Sequence, residues 1–175
     1  MDFSVVFSSK TGNTELVAKR IRKLMGEQDC TYFGSAENAP KAAGKASVVF
    51  VGTWTDKGSA TDDVMAFIHS LDGARVFLFG TCGYGQDEAY FNTILSRIRE
   101  GLSKNCEVIG SFMCQGKIAE AALERYHAML AAAEPASPEA KRAQLFIKNF
   151  EEARSHPNND DLRALETSLR AAGLV

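Results

Sequence analysis

Along this chain, short uninterrupted apolar runs alternate with longer stretches in which apolar residues recur every three or four positions. Phe3-Ser-Val-Val-Phe7 is a run of the first kind and reads as a buried strand. From Glu15 the second kind begins. Leu16, Val17, Ile21, Leu24 and Met25 fall on one helical stripe, and Lys19, Arg20, Arg22 and Lys23 take the remaining face. Residues 29–33 read as a second strand, followed over residues 34–45 by a loop with at most a short helix before Pro40. Residues 46–51 form the third apolar run, and a helix over residues 61–71 carries Val64, Phe67, Ile68 and Leu71 on one stripe. The fourth run spans residues 74–79, and the helix after it, over residues 87–102, turns Phe91, Ile94, Leu95 and Ile98 inward. The fifth spans residues 107–112. Helical spacing then returns three times, over residues 118–133, 138–153 and 160–172.

Five short apolar strands separated mainly by helices predict an α/β fold, with a parallel, doubly wound sheet covered on both faces. Right-handed crossovers leave few strand orders. At 175 residues a single domain over 1–175 is expected, with a C-terminal helical extension from about residue 118 to residue 175. Within it, the helix bearing Leu145, Phe146, Ile147 and Phe150 is expected to cover one face of the sheet. The last helix places Leu162, Leu165 and Leu169 at i, i+3 and i+7, and either packs on the domain or offers its stripe to a partner.

Composition removes several classes. Hydrophobic residues make up 45% and charged residues 24%, which is ordinary globular usage. No apolar run approaches the roughly 20 residues that span a bilayer. Met1-Asp2 leads straight into a strand without a basic leader, so a soluble, cytoplasmic protein with no membrane partner is expected. The formal charge of −2 argues against a nucleic-acid partner. Cys30, Cys82, Cys106 and Cys114 lie far apart with no metal-ligand spacing, so buried, inert thiols and no metal site are expected. His69, His127 and His156 read as packed or solvated histidines. The Lys19–Lys23 stretch reads as a solvated helix face that could also attract an acidic partner.

The chemistry gathers where strands end. Ser8-Ser-Lys-Thr-Gly-Asn-Thr14 follows the first strand with four hydroxyls in seven residues, and a helix begins directly after it. Strand, small-residue loop and helix N-terminus in that order make an anion site, because unpaired N–H groups and hydroxyls converge there. The loop has neither the G-x-x-x-x-G-K-[ST] nor the G-x-G-x-x-G spacing. After the third strand comes Trp54, the one Trp of the chain, with Thr53, Thr55, Asp56, Lys57 and Gly58 around it. After the fourth come Thr81, Cys82, Gly83, Tyr84, Gly85 and Gln86. Aromatic faces and exposed backbone N–H groups suit a flat, polarizable ring. A tryptophan at a strand end is equally a core-rim residue, and a tyrosine between glycines equally decorates a turn.

Ser9, Lys10, Thr11, Gly12, Asn13 and Thr14 match, position for position, the [ST]-x-T-G-N-T phosphate loop of the flavodoxin family, which the chain resembles. The resemblance implies a flavodoxin-like three-layer fold with strand order 2-1-3-4-5 and FMN as cofactor. The site would lie outside the strand C-termini at the switch between strands 1 and 3, a rule for which flavodoxin is itself a standing example. It further implies Trp54 against the inner flavin face and Tyr84 against the outer, with Gly83, Gly85 and Gln86 near the pyrimidine edge. Thr53, Thr55, Asp56, Lys57, Gly58, Thr81 and Cys82 complete the implied set. Trp54-x-Asp56-Lys57-Gly58, Phe79-Gly80-Thr81 and Phe112-Met-Cys-Gln-Gly-Lys117 resemble blocks of a bacterial flavodoxin branch with a helical tail, so the likeness covers almost the whole chain. The chain departs at Thr55, where flavodoxins often carry a glycine that lets the next peptide turn toward the reduced ring; a β-branched residue makes that turn costlier.

The resemblance implies an electron carrier, served by a reductase donor and an acceptor enzyme, as a monomer or weak dimer. Aromatic faces and carboxylates such as Asp56 make negative charge on the ring costly, which implies low-potential electrons. The mild net charge weakens the usual electrostatic docking to a reductase. Some members of the branch accompany tetrapyrrole-reducing enzymes such as bilin reductases, so the resemblance makes such an enzyme a candidate partner. The alternative is an FMN-dependent NAD(P)H:quinone or protoporphyrinogen oxidoreductase, for which no nicotinamide fingerprint appears. A flavin-free signalling domain of the same topology needs acidic residues after the first strand, where Phe7-Ser8-Ser9 stands instead.

Overall fold

The apolar runs become β1 (Phe3–Phe7), β2 (Cys30–Ser35), β3 (Val48–Trp54), β4 (Arg75–Cys82) and β5 (Glu107–Gln115). In this computed structural model, which describes residues 1–85 and 87–175, neighbouring strands pair in parallel in the order β2-β1-β3-β4-β5. The helices are α1 (Asn13–Met25), α2 (Asp62–His69), α3 (Glu88–Arg99), α4 (Glu120–Ala132), α5 (Pro138–Ala153) and α6 (Asn159–Ala171). The fold is the doubly wound α/β sheet that the sequence pattern predicts.

The sheet is buried on both faces, which is why its strands read as continuous apolar runs. On one face Val6, Val49, Val51, Val76 and Leu78 meet Val64 and Ile68 of α2 and Ile94 and Ile98 of α3. On the other, Phe3, Val5, Phe50, Phe77 and Phe79 meet Val17 and Ile21 of α1 and Leu165 and Leu169 of α6. Among the described residues no helix is long and apolar enough to cross a membrane.

Three differences from the sequence expectation have physical causes. First, β3, β4 and β5 each run three residues past the end of the apolar run, to Trp54, Cys82 and Gln115. Backbone pairing carries a ladder on whatever the side chain, and here Trp54 pairs with Thr81, Thr81 with Cys114 and Cys82 with Gln115. Residues expected on loops are therefore carried on rigid strand ends. Second, the short helix between β2 and β3 lies after Pro40, over Lys41–Lys45, with Ala43 N–H donating to Pro40 O at 2.8 Å. The proline ring fixes the backbone turn that opens it.

Third, the helix expected to cover the sheet does not do so. α5 packs on α4, its Leu145 is 60% exposed, and the sheet face belongs to α6. Local apolar density, as in Leu145-Phe146-Ile147, is a weaker guide than spacing. In α6 the stripe puts Leu165 and Leu169 on one side, and Arg20 of α1 pairs with Glu166 at 3.2 Å beside them.

Leu165→Ala should therefore cost about 2–5 kcal/mol in urea unfolding, the range for truncating a fully buried leucine. Leu145→Ala should stay within about 0.5 kcal/mol. The reverse order would place α5, not α6, on the sheet.

Candidate functional site

Lys10, Thr11 and Asn13 from the β1–α1 connection, Trp54 and Thr55 from the end of β3, and Thr81 and Gly83 from β4 line one cavity of about 230 Å³. It opens at the C-terminal edge of the sheet, beside the switch between β1 and β3, where ligands bind in open α/β sheets.

The β1–α1 loop presents a helix end whose N-cap residue offers no side-chain cap. Gly12, at φ 87°, stands at the N-cap of α1 with no side-chain cap, and the space beside its Cα is open. Ser9 Oγ accepts from Glu15 N–H at 3.2 Å, which turns the loop back over the first turn. Asn13 Nδ2 donates to Thr11 Oγ1 at 3.0 Å and across the cavity to Lys117 O at 2.9 Å. Its amide passes so close to Gly116 that a Cβ there would lie 2.7 Å from Asn13 Nδ2. Thr14 and Thr81, both buried, share a hydroxyl hydrogen bond of 2.9 Å that ties α1 to the end of β4.

The end of β3 is braced in the same way. Thr53 Oγ1 donates to Trp54 O at 2.7 Å and accepts from Thr61 N–H at 3.2 Å, so this hydroxyl serves the β3–α2 connection. Thr55 gives both its N–H and its hydroxyl to Thr81 O, at 2.9 and 3.0 Å. Asp56 and Ser59 exchange backbone hydrogen bonds around a tight turn in which Lys57 and Gly58 have φ of 48° and 78°. Asp56, Lys57 and Gly58 lie off the cavity lining. Trp54 does line it, and Lys10 Nζ sits 5.1 Å over the indole centroid.

Tyr84 stands apart from Trp54. It is 51% exposed, and its ring meets Tyr90 and Phe146 edge-on, each at 6.1 Å, outside the cavity lining. Gly85 has φ 74°, and Gln86 falls outside the described residues. Cys82 and Cys114 are buried, and burial pushes both thiols above the ordinary range, which keeps them from acting as nucleophiles. Among the described residues no group of three or more His, Cys, Asp or Glu could hold a metal ion. His156, read as packed or solvated, pairs with Asp161 at 2.6 Å, and its carbonyl accepts from Lys117 N–H at 2.9 Å.

Sequence reasoning missed the fourth wall. Lys117, Ile118 and Arg125 line the cavity from beyond β5 and from α4. The signal available was position: Lys117 follows the last strand at the edge where the other loops gather. The charged side chains of the lining, Lys10, Lys117 and Arg125, are all cationic, and among the described residues none has an ion-pair partner. An uncapped helix end, hydroxyls and free cations suit a phosphate, and the indole face beside the Gly83 backbone suits a flat ring. The cavity is smaller than the roughly 300–1,000 Å³ of typical cofactor pockets.

A family model described as a flavodoxin domain matches residues 4–170. A flavodoxin-like domain-containing protein BilS from Clostridium symbiosum is 33% identical over 192 residues, covering 99% of this chain and 99% of that protein. Flavodoxin 1 of Escherichia coli K12 is 30% identical over 163 residues, covering 85% and 92% of the two. Among solved structures, the two-electron reduced flavodoxin of Megasphaera elsdenii superposes with a TM-score of 0.51 at 20% identity, covering 85% of this chain and 98% of that one. This last likeness speaks to the fold.

Thr14→Val should destabilise the protein by about 1–3 kcal/mol, because it strands the buried Thr81 hydroxyl. Adding Thr81→Val should recover part of that loss in a double-mutant cycle read by urea unfolding. Strict additivity would show that the two hydroxyls do not interact.

Proposed function

The chain belongs to the flavodoxin family, and on that premise we propose that it is an FMN-dependent electron shuttle that passes low-potential electrons to a partner reductase. FMN is the cofactor that family membership implies. The observation that carries the reading is the convergence of an uncapped helix N-terminus, an indole face and the Gly83 backbone on one cavity.

In this reading Ser9, Thr11, Gly12, Asn13 and the first turn of α1 hold the phosphate, with Lys10 supplying charge. Trp54 would orient the ring, while Thr55, Thr81 and Gly83 would bound its edge. When bound, FMN supplies one- and two-electron redox chemistry, and the protein sets its potential through charge, stacking and hydrogen bonds. Two influences oppose each other here. The apolar indole and the exclusion of water make negative charge on the ring costly, while Lys117 and Arg125 at the rim favour it. A shuttle needs no general acid or base, and the buried thiols offer none.

The donor is a reductase, and the acceptor we propose is a tetrapyrrole- or bilin-reducing enzyme. Support for it is likeness to the BilS proteins, 33% and 31% identical over 99% and 98% of this chain. We place the protein in the cytoplasm on the same family grounds.

The purified protein should bind FMN with quenching of flavin fluorescence, and Trp54→Ala should weaken binding by roughly tenfold, the loss of about 1.4 kcal/mol of stacking. With FMN bound it should leave NADPH unoxidised until a flavodoxin reductase is added. Steady NADPH oxidation by the protein alone, with a quinone as acceptor, would move it to the oxidoreductase class.

A further inference from the structure

Helix α5 reaches back to the cavity through a single amide. Asn149 lies in the second half of α5, 9% exposed. Its Oδ1 accepts from Gly85 N–H at 2.7 Å and from Gln115 Nε2 at 3.1 Å, and its Nδ2 donates to Gly83 O at 2.9 Å. Gln115, the last residue of β5 and 1% exposed, also donates to Gly83 O, at 3.2 Å. Phe146, one turn earlier on the same side of α5, meets the edge of the Tyr84 ring. The backbone on both sides of Tyr84 is thus gripped by a buried side chain from a helix 64 residues further along the chain.

A helix that needs only to be anchored has apolar means to do so, and α5 has them in Ala143, Phe150 and Ala153, all essentially buried. Burying an amide as well carries a desolvation penalty that only a full set of partners offsets. Here each half of the amide has its partner, and two of the three are backbone groups of residues 83 and 85. Gly83 itself lines the cavity with Trp54 and Thr81.

We infer that Asn149 is a positioning residue for the cofactor cavity: through Gly83 and Gly85 it fixes the wall that the loop after β4 presents to the ligand. The inference rests on the FMN reading above. It gives the α4–α5 pair a role in the site that the parallel sheet and its covering helices do not supply.

The test uses the full-length protein. In the flavin-free protein, Asn149→Ala should speed hydrogen exchange of the Gly85 amide about tenfold or more, as loss of one hydrogen bond in a buried network implies. The same variant should raise the FMN dissociation constant on the order of tenfold and alter the shape of the bound flavin's visible absorption band. Asn149→Asp keeps the acceptor for Gly85 but loses the donor to Gly83, so Gly85 exchange should stay slow while FMN affinity still falls. Ala143→Gly weakens the same helix without touching the loop and should leave FMN affinity within about twofold. Unchanged affinity in Asn149→Ala, with Gly85 exchange accelerated, overturns the inference. An equal loss in Ala143→Gly overturns it too, by showing general loosening of α5. Failure of the wild-type protein to bind FMN overturns the cofactor reading and this inference with it, and Gly85 exchange then reports whether the grip on the loop is real.

Discussion

The chain reverses its winding between β1 and β3, and the site depends on that reversal. α1 crosses from β1 to one face of the sheet and α2 leaves β3 for the other, so the two connections diverge and leave a crevice at the C-terminal edge. A crevice alone would be soft. Here it is held open by polar links that run from the β1–α1 connection to two other strands. Thr14 reaches Thr81 at the end of β4, and Asn13 reaches the carbonyl of Lys117 just past β5. Because each link is to the end of a strand buried on both faces, the N-terminus of α1 keeps a fixed aim. The rigidity comes from the apolar layers on either side, and the chemistry sits on residues those layers position.

The same division explains what could be read from sequence. β1, β3 and β4 announce themselves because strands buried on both faces need unbroken apolar runs. Their ends do not, since Thr53, Trp54, Thr81 and Cys82 continue the ladder through backbone pairing that no side-chain pattern reports. The phosphate loop and Trp54 are legible because residue type and position after a strand both point to a ligand. Arg125 and Asn149 are not, because nothing local marks them: they arrive by the packing of α4 and α5, a tertiary event. Lys117 is marked only by its place just past β5. The assignment of the sheet face to α5 fails for a related reason: three adjacent apolar residues cannot all face one way on a helix, whereas the spacing in α6 can.

Charge gives a further case of local structure overriding composition. A net charge of −2 describes the chain as a whole, yet the charged lining of the cavity is positive throughout. At the protein surface, interactions fade over roughly 8 Å at physiological ionic strength, so a ligand in the cavity responds to the Lys10, Lys117 and Arg125 that line it more than to the net charge of the whole chain. Lys10 Nζ sits 5.1 Å over the Trp54 ring, so cation and indole face pair within the cavity wall. A cation above an indole gains about 0.5–2 kcal/mol. In the proposed reading, a phosphate at the α1 N-terminus would offer the Lys10 ammonium an anionic partner within the same loop.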